Sequence, residues 1–263
     1  MTLNQKRAGA PQLQQTGPRP TEKQLLVESI NLAKVAAGSP PERELFLRGA
    51  EFLIEPFPPA ERVPMRLFME GAREDAARTL GGNPNNRYCF TIARKGDDIV
   101  GASSVIYMDE AAAVLIGFVR ATAGLGGMGM RILGAKMLEF GQASAQATGK
   151  TLQSICGEVE RPDTMNTDES RARLKLFRSL GAGVLGRGTS FEYHQPEEDG
   201  SLLPLSIAVL PLQNQTQMRP YEVATLVRSI YATIYDHLPK DVYVGALTKI
   251  LISIPDKPLQ IVR

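Results

Sequence analysis

The spacing of apolar positions changes character twice along the chain. In "EKQLLVESINLAKVA", Leu25, Leu26, Ile30 and Ala33 fall at helical spacing and predict a first helix. "PERELFLRGAEFLI" predicts a second, with Pro41 near its first turn. "EPFPPAERVPMRLFMEGARED" predicts short helical pieces punctuated by prolines, and "GGNPNNR" predicts a loop. The period then drops to two. "YCFTIARKGDDIVGASSVIYM" predicts two strands joined at Lys95–Asp98, and "DEAAAVLIGFV" turns at Asp109–Glu110 into a third. Turns this short make antiparallel neighbours. A glycine loop follows, then a helix from about Met130 to Thr148 with apolar Ile132, Leu133, Met137, Leu138 and Phe140. "TLQSICGEVE" predicts a strand, "RPDTMNTDES" a loop, "ESRARLKLFRSLG" a helix stopped at Gly181, and "TSFEYHQP" and "LLPLSIAVLP" two late strands. Polar "NQTQM" leads to an amphipathic helix, "PYEVATLVRSIYATIYDHL", with Tyr221, Leu226, Ile230 and Tyr231 near its buried side, and "YVGALTKILISI" extends the helical pattern. No segment repeats.

These patterns divide the chain into a disordered, polar and proline-rich tail (1–20), an α+β domain (21–212) and a helical C-terminal extension (213–263). The extension is expected to pack on the domain or on a second subunit, making a homodimer. With 263 residues, 43% hydrophobic content and 22% charged residues, the chain has material for a large core. A net charge of +2 gives no reason to expect nucleic acid or an anionic membrane as partner. No apolar run approaches the ~20 residues of a membrane span, and the N-terminal stretch has no signal-peptide pattern, so a cytoplasmic location is expected. Cys89 and Cys156 lack metal-ligand spacing and are expected to be reduced core thiols; no metal is expected. His194 and His237 stand far from each other and are expected at the surface or at caps.

The stretch "GFVRATAGLGGMGMRIL" holds Gly124, Gly126 and Gly129 in the order G-x-G-x-x-G. A dinucleotide fold makes three demands of that pattern. The first glycine should follow its strand directly, but "RATA" intervenes after Val119. An acid should end the next strand ~20 residues on, but that stretch is still helix and Glu158 comes too late. The strand should open a parallel series, whereas this one closes an antiparallel run.

The order of a strand meander, glycine loop, helix, strand, helix and two strands resembles instead the GNAT superfamily of acyl-CoA-dependent N-acyltransferases, over roughly residues 41–212. The family's R/Q-x-x-G-x-G/A pyrophosphate motif maps onto Gly124, Leu125, Gly126, Gly127, Met128 and Gly129, with Met130 and Arg131 opening the helix. "EPFPPAERVP" is similar to the family's FP-x-x-E-R piece, "GEVERP" to its Leu-Glu-Val strand, and "LKLFRSLGA" to its second CoA-contacting helix; "YHQP" and "PLSIAVL" are similar to the closing strand pair of one GNAT group. The chain departs from the motif at Gly124, where Arg or Gln is usual, and at Ala121, where proline is usual. The physical requirement survives: glycines bring backbone N–H groups at a helix N-terminus close to a phosphate. Arg131 or Arg120 is expected to supply the missing charge.

The resemblance implies a splayed, mostly antiparallel sheet flanked by helices, and acetyl-CoA or another acyl-CoA as co-substrate. It implies transfer to a primary amine on a small molecule or peptide, with a backbone N–H near Phe118 and Val119 polarising the thioester. Glu158 aligns with the family glutamate that deprotonates the amine. Cys156, Glu158 and Glu160 share one strand face, which two acids would keep toward a cleft or solvent. The family's usual acid, a tyrosine, aligns with Phe177, which cannot donate a proton, so Tyr193 is the candidate substitute. Arg171, Lys175 and Arg178 share a helix face and are expected to be solvated. The missing Arg/Gln and Phe177 also fit a second reading, a catalytically weak acyl-CoA-binding or regulatory protein of the same fold.

Overall fold

In the computed structural model, which describes residues 25–57, 63–125, 127–161 and 168–262, the period-two segments pair as the short turns between them require. Strands β2 (Arg87–Lys95), β3 (Asp98–Met108) and β4 (Ala113–Ala121) form an antiparallel meander. Strand β5 (Ser154–Glu160) lies parallel to β4, and β8 (Leu202–Pro211) runs antiparallel to β5. The parallel step needs a crossover, and helix α4 (Met128–Ala147) supplies it.

Other strands were hidden in the sequence. Leu26–Ser29 forms β1, on the open edge of β2, where the spacing predicts helix. The ladder to Thr91–Arg94 and the 2.6 Å Glu28–Arg94 ion pair outweigh a local pattern that carries little propensity of its own. The helix begins later, as α1 (Leu32–Ala36), with the Asn31 side chain accepting from the Lys34 N–H. α2 (Pro40–Ile54) forms as expected. α3 (Met65–Ala77) is one continuous helix rather than short pieces, because Pro64 stands at its N-cap instead of inside it. After α5 (Asp168–Ser179), the unforeseen β6 (Gly183–Leu185) and the expected β7 (Tyr193–Pro196) share the outer edge of β8. Residues 213–263 carry two helices, α6 (Pro220–Ile234) and α7 (Lys240–Ser253), and also two short strands, β9 (Gln217–Met218) and β10 (Leu259–Val262), that extend the sheet beyond β6. The first twenty residues, all of the FP-x-x-E-R piece but Phe57, and most of the "RPDTMNTDES" loop lie outside the described residues.

Alternation along the strands sorts the helices into two layers. Val105, Tyr107, Val114 and Ile155 pack against Leu133, Met137 and Ala145 of α4, while Val159 and Ala208 pack against Leu174 of α5. The intervening residues face the other way. Phe90, Ile92 and Ala102 pack under α1–α3, and Leu115, Cys156, Ile207 and Val209 pack under α6 and α7. Cys89 and Cys156 are buried free thiols. Among the described residues no helix is long and apolar enough to cross a membrane.

The chain end is stitched in by close backbone approach. A Cβ on Gly183 would lie 2.7 Å from Ile261 Cγ2 and 2.9 Å from the Val262 carbonyl carbon. Gly183→Ala should therefore push β10 off β6 and cost about 1–3 kcal/mol, which calorimetry would read as a melting point lowered by about 2–4 °C per kcal/mol. An unchanged melting point would show that β10 adds nothing to the sheet.

Candidate functional site

The ladder between β4 and β5 stops early. It runs from Ala113–Ser154 to Ile116–Gly157 and no further, although β4 continues to Ala121 and β5 to Glu160. The register explains the break. On β3, Ser104 faces Phe118 but Val105 faces Ile116, so Gly117 is the extra residue of a β-bulge. The bulge flips the alternation. Leu115 faces the α6 layer, and by strict alternation Phe118 would face α4. Instead Phe118 packs on the α3 side, 5.4 Å from the Phe68 ring and 6.1 Å from Phe57, while Val119 turns toward α4. Past Ile116 the edge of β4 that faced β5 is released from the ladder, and its backbone polar groups border a notch between the two strands.

On one face of the notch lies the glycine loop. Ala123–Leu125 forms a single 3₁₀ turn that buries Leu125, and α4 starts at Met128, two residues before the predicted start. Gly124 has open space around it, as does Gly127, whose φ of +85° is a conformation glycine adopts without strain. The Arg131 N–H donates to the Gly127 carbonyl at 3.2 Å, which leaves the amides of Met128, Gly129 and Met130 in the helix's first turn without an i−4 carbonyl inside the helix. No acidic side chain stands in that turn. Gly129 is different: a Cβ there would sit 2.7 Å from Leu125 Cδ1 and 2.8 Å from Ala121 Cβ, so its bareness serves helix-to-strand packing. Gly126 lies outside the described residues. Arg120 is not at the loop. It alternates with Val119 and Ala121 and so points to the opposite face, where it donates to the Phe52 carbonyl (2.5 Å), pairs with Glu55 (2.7 Å) and stacks on Phe52. Arg131 sits exposed in the first turn of α4. Arg171, Lys175 and Arg178 are exposed on α5, as their spacing predicts.

On the other face stands Glu158, the first β5 residue beyond the ladder. Its Oε1 accepts hydrogen bonds from the Tyr193 hydroxyl on β7 and from the Tyr235 hydroxyl, 2.8 Å away, at the end of α6. Sequence reasoning named Glu158 and Tyr193 separately; the fold joins them. It missed Tyr235, whose signal was the Tyr231–Tyr235 pair one helical turn apart in an amphipathic helix. Glu158 is half-buried rather than open to a broad cleft, and fully buried Cys156 precedes it on the same face. Burial pushes the Glu158 carboxyl above its ordinary value, and the two phenols pull it part of the way back. Burial and the neighbouring carboxylate push Tyr193 and Tyr235 well above the ordinary phenol range. On the α5 face, the Phe177 ring lies against the backbone where the ladder ends. A Cβ on Gly157 would meet Phe177 Cζ at 2.8 Å.

A bulged β4 parted from a parallel β5, a glycine loop leading into α4 and a second helix after β5 together make the arrangement that the sequence resemblance implies. The chain has a GNAT-type fold. No protein-family model matches the chain, and no curated protein matches it. Among solved structures it is similar to the Escherichia coli ribosomal-protein-S18-alanine N-acetyltransferase (14% identity, TM-score 0.42, covering 73% of this chain and 98% of that one). It is also similar to a GNAT-family acetyltransferase from Streptococcus pneumoniae (14%, 0.41, 72% and 99%) and to a Salmonella typhimurium protein solved with its cofactor acetyl-CoA (18%, 0.39, 73% and 95%). At such scores the fold assignment rests on the strand pairing above.

A raised carboxyl pKa means that the native state holds its proton more tightly than the unfolded chain. Stability is then complete below the ordinary value of 4.5 and falls as pH rises through the folded value. Glu158→Gln keeps an acceptor for both phenols and removes the charge. At pH 7–8 it should melt higher than the parent, by about 2–4 °C per kcal/mol recovered, with the gap closing near pH 4. A variant that melts lower at neutral pH would mean that the charge stabilises the fold.

Proposed function

We propose that this protein transfers an acyl group, most simply acetyl, from acyl-CoA to a primary amine. The observation that supports this best is the parting of β4 and β5. The parted strands set a glycine-lined helix N-terminus on one face and a phenol-held carboxylate on the other, with the stretch of β4 beyond its pairing with β5 between them.

In this reading the CoA pyrophosphate rests on the N–H groups of Met128, Gly129 and Met130, beside open Gly124 and Gly127, with Arg131 close in sequence. The thioester lies along the released edge of β4, where backbone N–H groups at Phe118–Val119 stabilise the developing oxyanion. The acceptor approaches from the side of Phe118 and Glu158. The amine nitrogen attacks the thioester carbon, the C–N bond forms and the C–S bond breaks. The amine's proton goes to Glu158. The departing thiolate takes its proton from the Tyr193 hydroxyl, and the proton held by Glu158 returns to the Tyr193 oxygen through solvent before the next turnover. The products are an amide and free CoA thiol. A carboxyl raised by burial suits this role, since a base works best with a pKa closer to the working pH.

A thiol-release assay with acetyl-CoA and a panel of amines tests the reading. The parent should release thiol with at least one amine. Glu158→Gln should be slower by at least about tenfold, with acetyl-CoA affinity unchanged, and the deficit should shrink toward pH 9 as more amine arrives neutral. Equal rates across pH 6–9 would remove Glu158 from the mechanism.

Gly124→Val places bulk in the open part of the loop. It should weaken acetyl-CoA binding by at least about tenfold, roughly 1.4 kcal/mol, without moving the melting point, whereas Gly129→Val should loosen the start of α4 itself. Unchanged acetyl-CoA affinity in Gly124→Val would displace the cofactor from this loop. Tight acetyl-CoA binding with no thiol release to any amine would favour the non-catalytic reading, which Gly124 and Phe177 at the motif positions support.

A further inference from the structure

We propose that Tyr235 is a positioning residue for Glu158, so that the segment after β8 completes the catalytic site instead of merely covering the core. The inference rests on the reading of Glu158 as the base.

The geometry is specific. Two phenols from different elements, Tyr193 of β7 and Tyr235 at the C-cap of α6, both donate to Oε1, and neither goes to Oε2. This fixes the carboxylate rotamer and leaves Oε2 as the oxygen that meets the incoming proton. Tyr235 is itself held. Its N–H donates to the Tyr231 carbonyl at 2.9 Å, and its ring lies 5.0 Å from the Tyr231 ring. Tyr231 is fully buried and anchored in turn: its hydroxyl donates to the His194 carbonyl at 2.5 Å, and its ring packs on Tyr193 and Tyr243. The strand that carries Tyr193 and the helix that carries Tyr235 are thereby braced against each other.

Packing alone does not account for Tyr235. It is almost completely buried, and a buried hydroxyl costs free energy unless it finds a partner. Phenylalanine would fill the same space without that cost. The hydroxyl finds Glu158, itself a group that is expensive to bury. The described groups that act on or feel this carboxylate are Tyr193 from β7, Tyr231 and Tyr235 from α6, and Cys156 on its own strand, while Glu197 just beyond β7 acts on Tyr235. Among these described groups none is a cation, and the two phenols are what stabilise its charged form.

The test is Tyr235→Phe in the full chain. Carboxyl-carbon NMR of glutamate-labelled protein reads the Glu158 titration directly. Loss of one donor to the charged form should move its midpoint upward by about one pH unit. The acid limb of the thiol-release profile should move with it, and kcat should fall about tenfold while KM for acetyl-CoA stays put. Adding Tyr235→Phe to Glu158→Gln should cost no further activity, since Tyr235 acts through Glu158. An unmoved Glu158 titration would overturn the proposal, as would an additive loss in the double variant, which would point to a purely structural role. A parent that acylates no amine would overturn the proposed function and not the contact, which the titration judges by itself.

Discussion

The rest of the site depends on where one hydrogen-bond ladder ends. β4 and β5 pair only to Ile116–Gly157, because the extra residue at Gly117 changes the pleat of β4 and because the Phe177 ring occupies the space beside Gly157. Two unremarkable strands would have buried each other's backbone. These two part at that point, and β4 runs on to Ala121 without β5 as its partner. The same bulge decides what each face receives. It sends Phe118 toward the aromatic cluster of Phe57 and Phe68, and Val119 toward α4.

A second constraint is the cost of a carboxylate under a helix. Leu226, Val227, Ile230 and Tyr231 of α6 are buried, and they hold the helix over the sheet. Beside that apolar seam stands half-buried Glu158. The seam tolerates it because two hydroxyls reach its Oε1, and the residual penalty appears as a raised carboxyl pKa. The charged form of Glu158 therefore costs the fold stability, and the raised pKa is that cost expressed as proton affinity. The C-terminal segment serves both purposes: its apolar side chains close the core, and one tyrosine at the end of its first helix reaches the charge.

What was legible in the sequence is what is local. β2, β3, β4, β5 and β8 carry their period of two in five or more consecutive residues, and α4 and α5 carry theirs over several turns. β6, β9 and β10 are two to four residues long, and their hydrogen bonds go to partners far along the chain, so no pattern within them could announce a strand. β1 was misread because Leu25, Leu26 and Ile30 fit a helix by chance while the open edge of β2 decided their conformation. The chemistry divides the same way. Glu158 and the loop glycines were visible as residue types in context. That Gly129 serves packing, that Arg120 points away from the loop, and that Tyr193 and Tyr235 meet on one oxygen across 35 and 77 residues of chain all depend on tertiary contacts.

The central claim is that the thioester enters between β4 and β5 from the side of α4. Backbone amide NMR of deuterated protein, titrated with acetyl-CoA, tests it most directly. The account predicts that the largest and saturable shifts fall on Phe118–Ala121 along the released edge of β4 and on Met128–Met130 in the first turn of α4, with Glu158 perturbed across the notch. If those amides stay fixed while saturable shifts gather elsewhere on the molecule, or if none appear, the notch is not the cofactor's path and the account fails.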